Sequence, residues 1–206
     1  MFITFEGTEG CGKSTLIRNL SQQLNDLKIP HVITREPGGS VVAESIRGVI
    51  LNQEMNPLTE LLLYEAARAE HYKTIVEPAL KKKNWVLCDR FTDSTIAYQG
   101  FARGLDLKMI DKLNLLATEG RKPDLTFFLD LPVEIGLSRA TDPNKFEKAG
   151  IEFQKKVRKG FLYAISKSKK RFRVLKVKDK TPEQVCELAV QALKNSLPKK
   201  TLKKQK

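Results

Sequence analysis

A chain of 206 residues, 41% hydrophobic and 30% charged, has room for one large α/β domain with a full core rather than two small domains. Cys11, Cys88 and Cys186 are odd in number and widely spaced, which excludes a disulfide framework or a zinc spacing and suits a reducing cytosol, and no apolar run is long enough to span a bilayer. The formal net charge of +13 attracts polyanions, whether nucleotides, nucleic acid or acidic lipid.

Met1 leads almost directly into an apolar run, Phe2-Ile3-Thr4-Phe5, so no signal peptide is expected. That strand-like run feeds Gly7 to Ser14, GTEGCGKS, and a helical pattern follows at Leu16, Ile17, Leu20 and Leu24. The succession makes a P-loop. Gly7, Gly10 and Gly12 let the backbone turn its N–H groups onto phosphate oxygens, and the new helix adds its positive end. Lys13 places a charge between the β- and γ-phosphates, and the Ser14 hydroxyl can hold Mg²⁺. Gly7, Thr8, Glu9, Gly10, Cys11, Gly12, Lys13, Ser14 and Thr15 are therefore the expected ATP cradle, with Cys11 a small residue at a free position.

After a break at Lys28-Ile29-Pro30 comes a short strand, His31-Val32-Ile33-Thr34, with His31 read as an exposed structural residue. Arg35-Glu36-Pro37-Gly38-Gly39 then fixes an irregular turn at the strand's carboxyl end, where ligands bind in open α/β sheets. Ser40 is the expected N-cap of a helix carrying Val41, Ile46, Val49 and Ile50 on one side, with Arg47 pointing elsewhere. Asn56-Pro57 starts the longest helical stretch, to about Lys82, with an apolar stripe of Leu58, Leu61, Leu62 and Ala66. Tyr64 and Arg68 share one face of it, and spacing alone reads them as a surface ring beside a solvated arginine; His71 receives no role.

Trp85-Val86-Leu87-Cys88 is a buried-strand pattern ending in Asp89-Arg90-Phe91, an acid and a base that are either partners for Mg²⁺ and phosphate or a structural salt bridge. Asp93 to Gly100 is polar on one side, a helix runs from about Leu107 to Glu119, and Lys122-Pro123-Asp124 breaks the chain before the strand Leu125 to Asp130. A short helix reaches Arg139, and Ala140 to Gly150 reads as a mobile segment. The next helix buries Phe153, Val157 and Phe161 and leaves Lys155, Lys156, Arg158 and Lys159 on a solvated face. Phe172 to Val177 is the last strand, and Thr181-Pro182-Glu183 caps a last helix with Val185, Leu188, Ala189, Ala192 and Leu193 inward. The alternation predicts a three-layer α/β sandwich, about five parallel strands with helices on both faces. It forms a single domain over residues 1–197, with the mobile segment at about 140–150. Residues 198–206, including Lys199, Lys200, Lys203, Lys204 and Lys206, are expected to be a disordered basic tail rather than a nucleic-acid arm.

The motifs FEGTEGCGKS, TREPGG, YEAAR, CDRF, STIAYQG, RKPD, FLDL and KFEKAGIEFQ, in that order, resemble the bacterial thymidylate kinases over about residues 1–195. These are P-loop nucleoside monophosphate kinases that make dTDP from dTMP. The resemblance implies that Glu9 meets the deoxyribose 3′-hydroxyl and helps order Mg²⁺, with Asp89 near the metal beside Ser14. Tyr64 stacks on thymine where a phenylalanine is usual, and Arg68 hydrogen-bonds the thymine carbonyl. Arg35, Arg47 and Arg90 surround the dTMP phosphate. Thr95, Tyr98 and Gln99 read base and sugar, the tyrosine crowding the ribose 2′ position. The P-loop lacks the arginine that some members carry, and the usual lid signature Asp-Arg-Phe/Ile-Glu reads Asn144-Lys145-Phe146-Glu147, with a point charge in place of a planar fork. The implied catalytic set is Lys13, Arg90, Arg139 and Lys145. Also implied are a Mg²⁺ cofactor, ATP and dTMP as substrates, a cytoplasmic homodimer, and no membrane or nucleic-acid partner. The competing readings are a kinase for another pyrimidine nucleotide or nucleoside on the same fold, and a non-catalytic P-loop protein that binds nucleic acid through its basic surface.

Overall fold

The computed structural model describes residues 1–139 and 145–196; the tail lysines and Asn144 lie outside the described residues. Its centre is β1 (Phe2–Glu6), every residue of which is buried because both faces of the sheet are covered. Around it lie β2 (His31–Arg35), β3 (Trp85–Asp89), β4 (Leu125–Asp130) and β5 (Phe172–Lys176), all parallel, in the order β2-β3-β1-β4-β5.

Ile3 and Phe5 of β1 pack with Phe127 and Leu129 of β4 against α1 (Lys13–Asp26) and α10 (Pro182–Ser196), through Leu16, Leu20, Val185 and Ala189. On the opposite face, Phe2 packs with Val86, Cys88 and Phe91 against Tyr72, Val76 and Ala79. Phe128 packs there with Phe161 and Val157 of α9 (Gly150–Lys167). Each fully buried phenylalanine contributes about 1.5–3 kcal/mol relative to exposure, so these two cores hold the sheet between its helical layers.

Ser40 caps α2 (Val41–Asn52) by accepting from the Ala43 amide, and Asn56 caps α3 (Pro57–His71) by accepting from the Leu58 amide. The long helical stretch continues through a π turn, Tyr72–Val76, into α4 (Glu77–Lys81). The inward faces differ from the sequence reading. Val41 is 86% exposed and Val49 is exposed, while Ala43 and Ile50 are buried. Leu58, Leu62 and Ala66 also face outward; the buried face of α3 carries Glu60, Leu61, Glu65, Ala67, Arg68 and His71. Apolar periodicity misassigned these helices because their inner faces serve a polar site. In α10, Cys186 is buried and Leu188 is not.

Residues 92–102 are helical, α5 (Thr92–Thr95) running into a π-helical segment, Ile96–Ala102, that packs on α9. Then come α6 (Leu107–Ala117), α7 (Val133–Ser138) and, within the segment read as mobile, α8 (Lys145–Lys148). The register pairs Phe5 and Arg35 each with Asp89, so β1, β2 and β3 deliver three loops to one edge: Gly7–Gly12, Glu36–Gly39 and Arg90–Phe91.

Candidate active site

The P-loop sits against α7 backbone to backbone. Gly10 has φ +67°, and a Cβ there would lie 2.1 Å from the Gly136 carbonyl oxygen; a Cβ on Gly136 would lie 2.3 Å from the Glu9 carbonyl oxygen. Both positions therefore require glycine. Lys13 opens α1 with its ammonium arched over the loop, 3.4 Å from the Gly7 carbonyl, 3.3 Å from that of Thr8 and 3.7 Å from Cys11 Sγ. The Ser14 hydroxyl donates to Asp89 Oδ2 at 3.3 Å, and Asp89 Oδ1 is buried without a hydrogen-bond partner among the described residues. A serine oxygen beside a carboxylate with an unused lone pair is a hard-oxygen donor set that fits Mg²⁺.

Arg90 joins the P-loop to the rest of the cavity. Its Nη1 donates to the Gly7 carbonyl at 3.0 Å and to Ser94 Oγ at 3.2 Å, its Nη2 donates to Glu9 Oε1 at 2.7 Å, and its guanidinium lies 5.1 Å from the Tyr98 ring centroid. Burial disfavours the Glu9 carboxylate, but Arg90, Lys13 and the Tyr98 hydroxyl outweigh it and hold its pKa below the usual range. Beneath, Glu6 accepts from the Phe91 amide and the Ser94 hydroxyl; burial and the neighbouring Asp93 push its pKa up to about 8. Arg35 is clamped by Glu44 at 2.9 Å, and Arg47 donates to the Pro37 carbonyl at 2.8 Å. Burial and the charge of Arg35 lower the pKa of Arg47, with Arg90 acting in the same direction. Arg35 and Arg90 both lie within electrostatic reach of Arg47, and guanidiniums so grouped can hold an anion.

Glu9, Lys13, Ser14, Arg35, Arg47, Asp89 and Arg90 line one cavity of about 510 Å³ with Tyr64, Arg68, Thr95, Tyr98 and Gln99. Tyr64 and Arg68 are not the surface pair that spacing suggested. The Arg68 side chain is 2% exposed, with Nε on Glu36 at 2.8 Å, Nη1 on Glu65 at 2.6 Å and on Asn114 at 2.8 Å, and Nη2 on the Phe91 carbonyl at 3.3 Å. Burial also raises the Tyr64 pKa far above its ordinary value, so the phenol stays neutral. His71 is fully buried, bridging Thr34 Oγ1 at 2.6 Å and Glu36 Oε1 at 2.9 Å. Gly39, at φ +86°, is where the loop passes this ring: a Cβ would lie 2.6 Å from it. His31 is half-buried, bonded to Ser21 and the Ile29 carbonyl rather than simply exposed.

The structure thus gathers Glu9, Lys13, Ser14, Thr15, Arg35, Arg47, Tyr64, Arg68, Asp89, Arg90, Thr95, Tyr98 and Gln99 around one cavity. Arg139 reaches the same neighbourhood, donating to the Gly10 carbonyl at 3.2 Å. Lys145, on α8, has its ammonium on Glu60 at 3.0 Å and on the Gln53 carbonyl at 3.2 Å. Glu36, Glu60, Ser94 and Phe146 were missed. The only signal for the two glutamates is that a buried arginine needs a buried acid, which sequence cannot show before the arginine's burial is known.

Residues 5–188 match the family described as Thymidylate kinase. The chain is 50% identical to "Thymidylate kinase" of Geotalea uraniireducens, covering 84% of this chain and 87% of that relative. It is 44% identical to "Thymidylate kinase" of Geobacter sulfurreducens, covering 97% and 99%. The crystal structure of thymidylate kinase from Ehrlichia chaffeensis superposes with a TM-score of 0.79 at 36% identity, covering 94% of this chain and 98% of that one.

Proposed function

This chain belongs to the thymidylate kinase family, and on that premise we propose that it transfers the γ-phosphoryl group of ATP to the 5′-phosphate of dTMP, giving dTDP and ADP. The observation that carries the reading is the continuity of one cavity from the P-loop, past three arginines, to a floor of Tyr64, Arg68, Thr95 and Gln99.

The attacking phosphate oxygen is already ionised near neutral pH, so the site needs no general base; its task is to align two polyanions and neutralise them. The P-loop amides and Lys13 hold the donor. Arg35 and Arg47 hold the acceptor phosphate, and Arg90, bonded to the P-loop carbonyl of Gly7, sits between the two. Ser14 and Asp89 would hold Mg²⁺, which when bound supplies countercharge to the donor phosphates. Glu9, fixed by Arg90 and Tyr98, presents its carboxylate to the deoxyribose. Arg68 has five N–H donors and makes four hydrogen bonds among the described residues, leaving one on Nη2 for a base carbonyl.

Turnover with ATP and Mg²⁺ across dTMP, dUMP, dCMP, UMP, AMP and thymidine tests the proposal. Strong turnover with dTMP, dUMP a poorer second, is expected; preference for another monophosphate would overturn the assignments of Tyr64 and Arg68. Arg139, at the Gly10 carbonyl, is placed to meet the transferring group. Arg139→Ala is expected to lower kcat by roughly 10²–10³-fold with dTMP affinity nearly unchanged, and parallel losses in both would contradict that role.

The outward valines and leucines support the homodimer. α3 packs between α2 and α6, and that layer exposes Val41, Val42, Val49, Leu58, Leu62, Leu115 and Leu116. Exposed apolar side chains gathered on one helical layer fit an interaction site, and a second copy covers them in this proposal. Leu62→Glu is expected to give a monomer by light scattering at micromolar concentration, and an unchanged dimer would move the interface elsewhere. Among the described residues no helix is long and apolar enough to cross a membrane; a cytoplasmic site of action belongs to the proposal.

A further inference from the structure

One wall of the acceptor cavity comes from outside the sheet edge. Phe146, on α8, is 3% exposed and lines the cavity. Its ring meets Tyr98 edge-on at 5.7 Å and Tyr64 at 6.3 Å. The residue before it, Lys145, lays its ammonium on Glu60 Oε2. Glu60 is 1% exposed and takes three further hydrogen bonds, from Gln99 Nε2 at 3.0 Å and from Nε and Nη2 of Arg103 at 3.2 and 3.1 Å. The Arg103 guanidinium lies 5.8 Å from the centroid of the Phe146 ring, and Gln154 of α9 donates to the Phe146 carbonyl at 2.9 Å.

We propose that Phe146 is a specificity-determining wall of the base pocket and that Lys145 and Glu60 are the positioning pair that seats it. Lys145 then acts on acceptor binding rather than on the transferring phosphoryl group. The proposal rests on the reading of this cavity as the dTMP site. Its physical basis is that Glu60 is buried and each of its donors offsets the cost of its charge; withdrawing the ammonium leaves that carboxylate under-compensated. Because Gln99 and Lys145 share this carboxylate, the docking of α8 and the placement of a base-reading side chain are linked. A residue of the segment following Arg139 thereby completes the pocket that α3 and the π-helical segment begin.

The test pairs dTMP binding by calorimetry, without ATP, with steady-state kinetics on Phe146→Ala, Phe146→Leu, Lys145→Met and Lys145→Arg, each checked for folding by thermal melting. Phe146→Ala is expected to weaken dTMP about tenfold or more, as losing part of an apolar pocket does, with ATP KM within twofold; Phe146→Leu, safer for folding, falls between. Lys145→Met is expected to weaken dTMP roughly fivefold or more with kcat nearly unchanged, and Lys145→Arg to restore binding. A Lys145→Met enzyme with unchanged dTMP affinity and kcat down a hundredfold would overturn the proposal, as would unchanged dTMP affinity in both Phe146 variants. Failure of wild-type protein to turn over dTMP in the substrate panel is a separate result, which removes the acceptor reading before any variant is made.

Discussion

Arg90→Ala is expected to lower kcat with dTMP by about 10³-fold or more, the loss seen when an arginine is taken from a transferring phosphoryl group. Arg90 stands at φ +70°, a backbone state that non-glycine residues seldom occupy. Its guanidinium is spread over the Gly7 carbonyl, Ser94 and Glu9 and lies over the Tyr98 ring. These contacts fix a planar cation between the P-loop carbonyl of Gly7 and the Tyr98 ring. Arg90→Lys should recover little, because an ammonium cannot span Gly7 and Glu9 as a fork does. The loss should fall on kcat and on dTMP affinity, while ATP affinity, held by the P-loop amides and Lys13, moves little. A kcat within tenfold of wild type would remove Arg90 from the reaction and leave it a structural clamp on Glu9.

The second large effect is on stability. Arg68→Ala removes the cation that compensates Glu36 and Glu65, both nearly buried. Breaking a buried ion pair from one side costs about 3–5 kcal/mol, which for a chain of this size lowers Tm by roughly 6–20 °C. Burial raises the pKa of Glu36, but Arg68 and His71 outweigh it and hold it low in the native protein. Without Arg68, Glu36 loses its largest countercharge. Denaturant unfolding with an unchanged m-value and a lower midpoint is the expected result. Wild-type stability in the variant would mean that the network relaxes around the gap. Base discrimination by this variant has to be measured well below its lowered Tm, because two roles meet in one side chain.

The parts of the site legible in the sequence are those encoded by contiguous residues. The P-loop needs its glycines, lysine and serine at fixed spacing, so eight adjacent positions carry the phosphate chemistry whatever the rest of the chain does. The alternation of strand and helix likewise predicts the parallel sheet, because β-α-β connections allow few other arrangements. Motif order supplied the acceptor side by resemblance, and Tyr64, Arg68, Thr95, Tyr98 and Gln99 do lie on one cavity.

Spacing alone misjudged Tyr64 and Arg68, gave His71 no role, and grouped Val41 and Val49 with the buried Ile50 and Leu58 and Leu62 with the buried Leu61. These errors share a cause. Hydrophobic periodicity assumes that a helix buries its apolar face, whereas α3 buries Glu60, Glu65, Arg68 and His71 beside Leu61 and leaves Leu58 and Leu62 to the outside. The partners that make such burial affordable are distant in sequence: Glu36 lies 32 residues from Arg68, and Thr34 lies 37 from His71. Lys145 shows the same limit, since its attachment to Glu60 exists only once α8 is docked. The sequence by itself determined the phosphate loop, the parallel sheet and the residue types that gather at its carboxyl edge. The tertiary structure decided which charges are buried together, because the pairing of ions depends on through-space distance and desolvation, neither of which is written in local spacing.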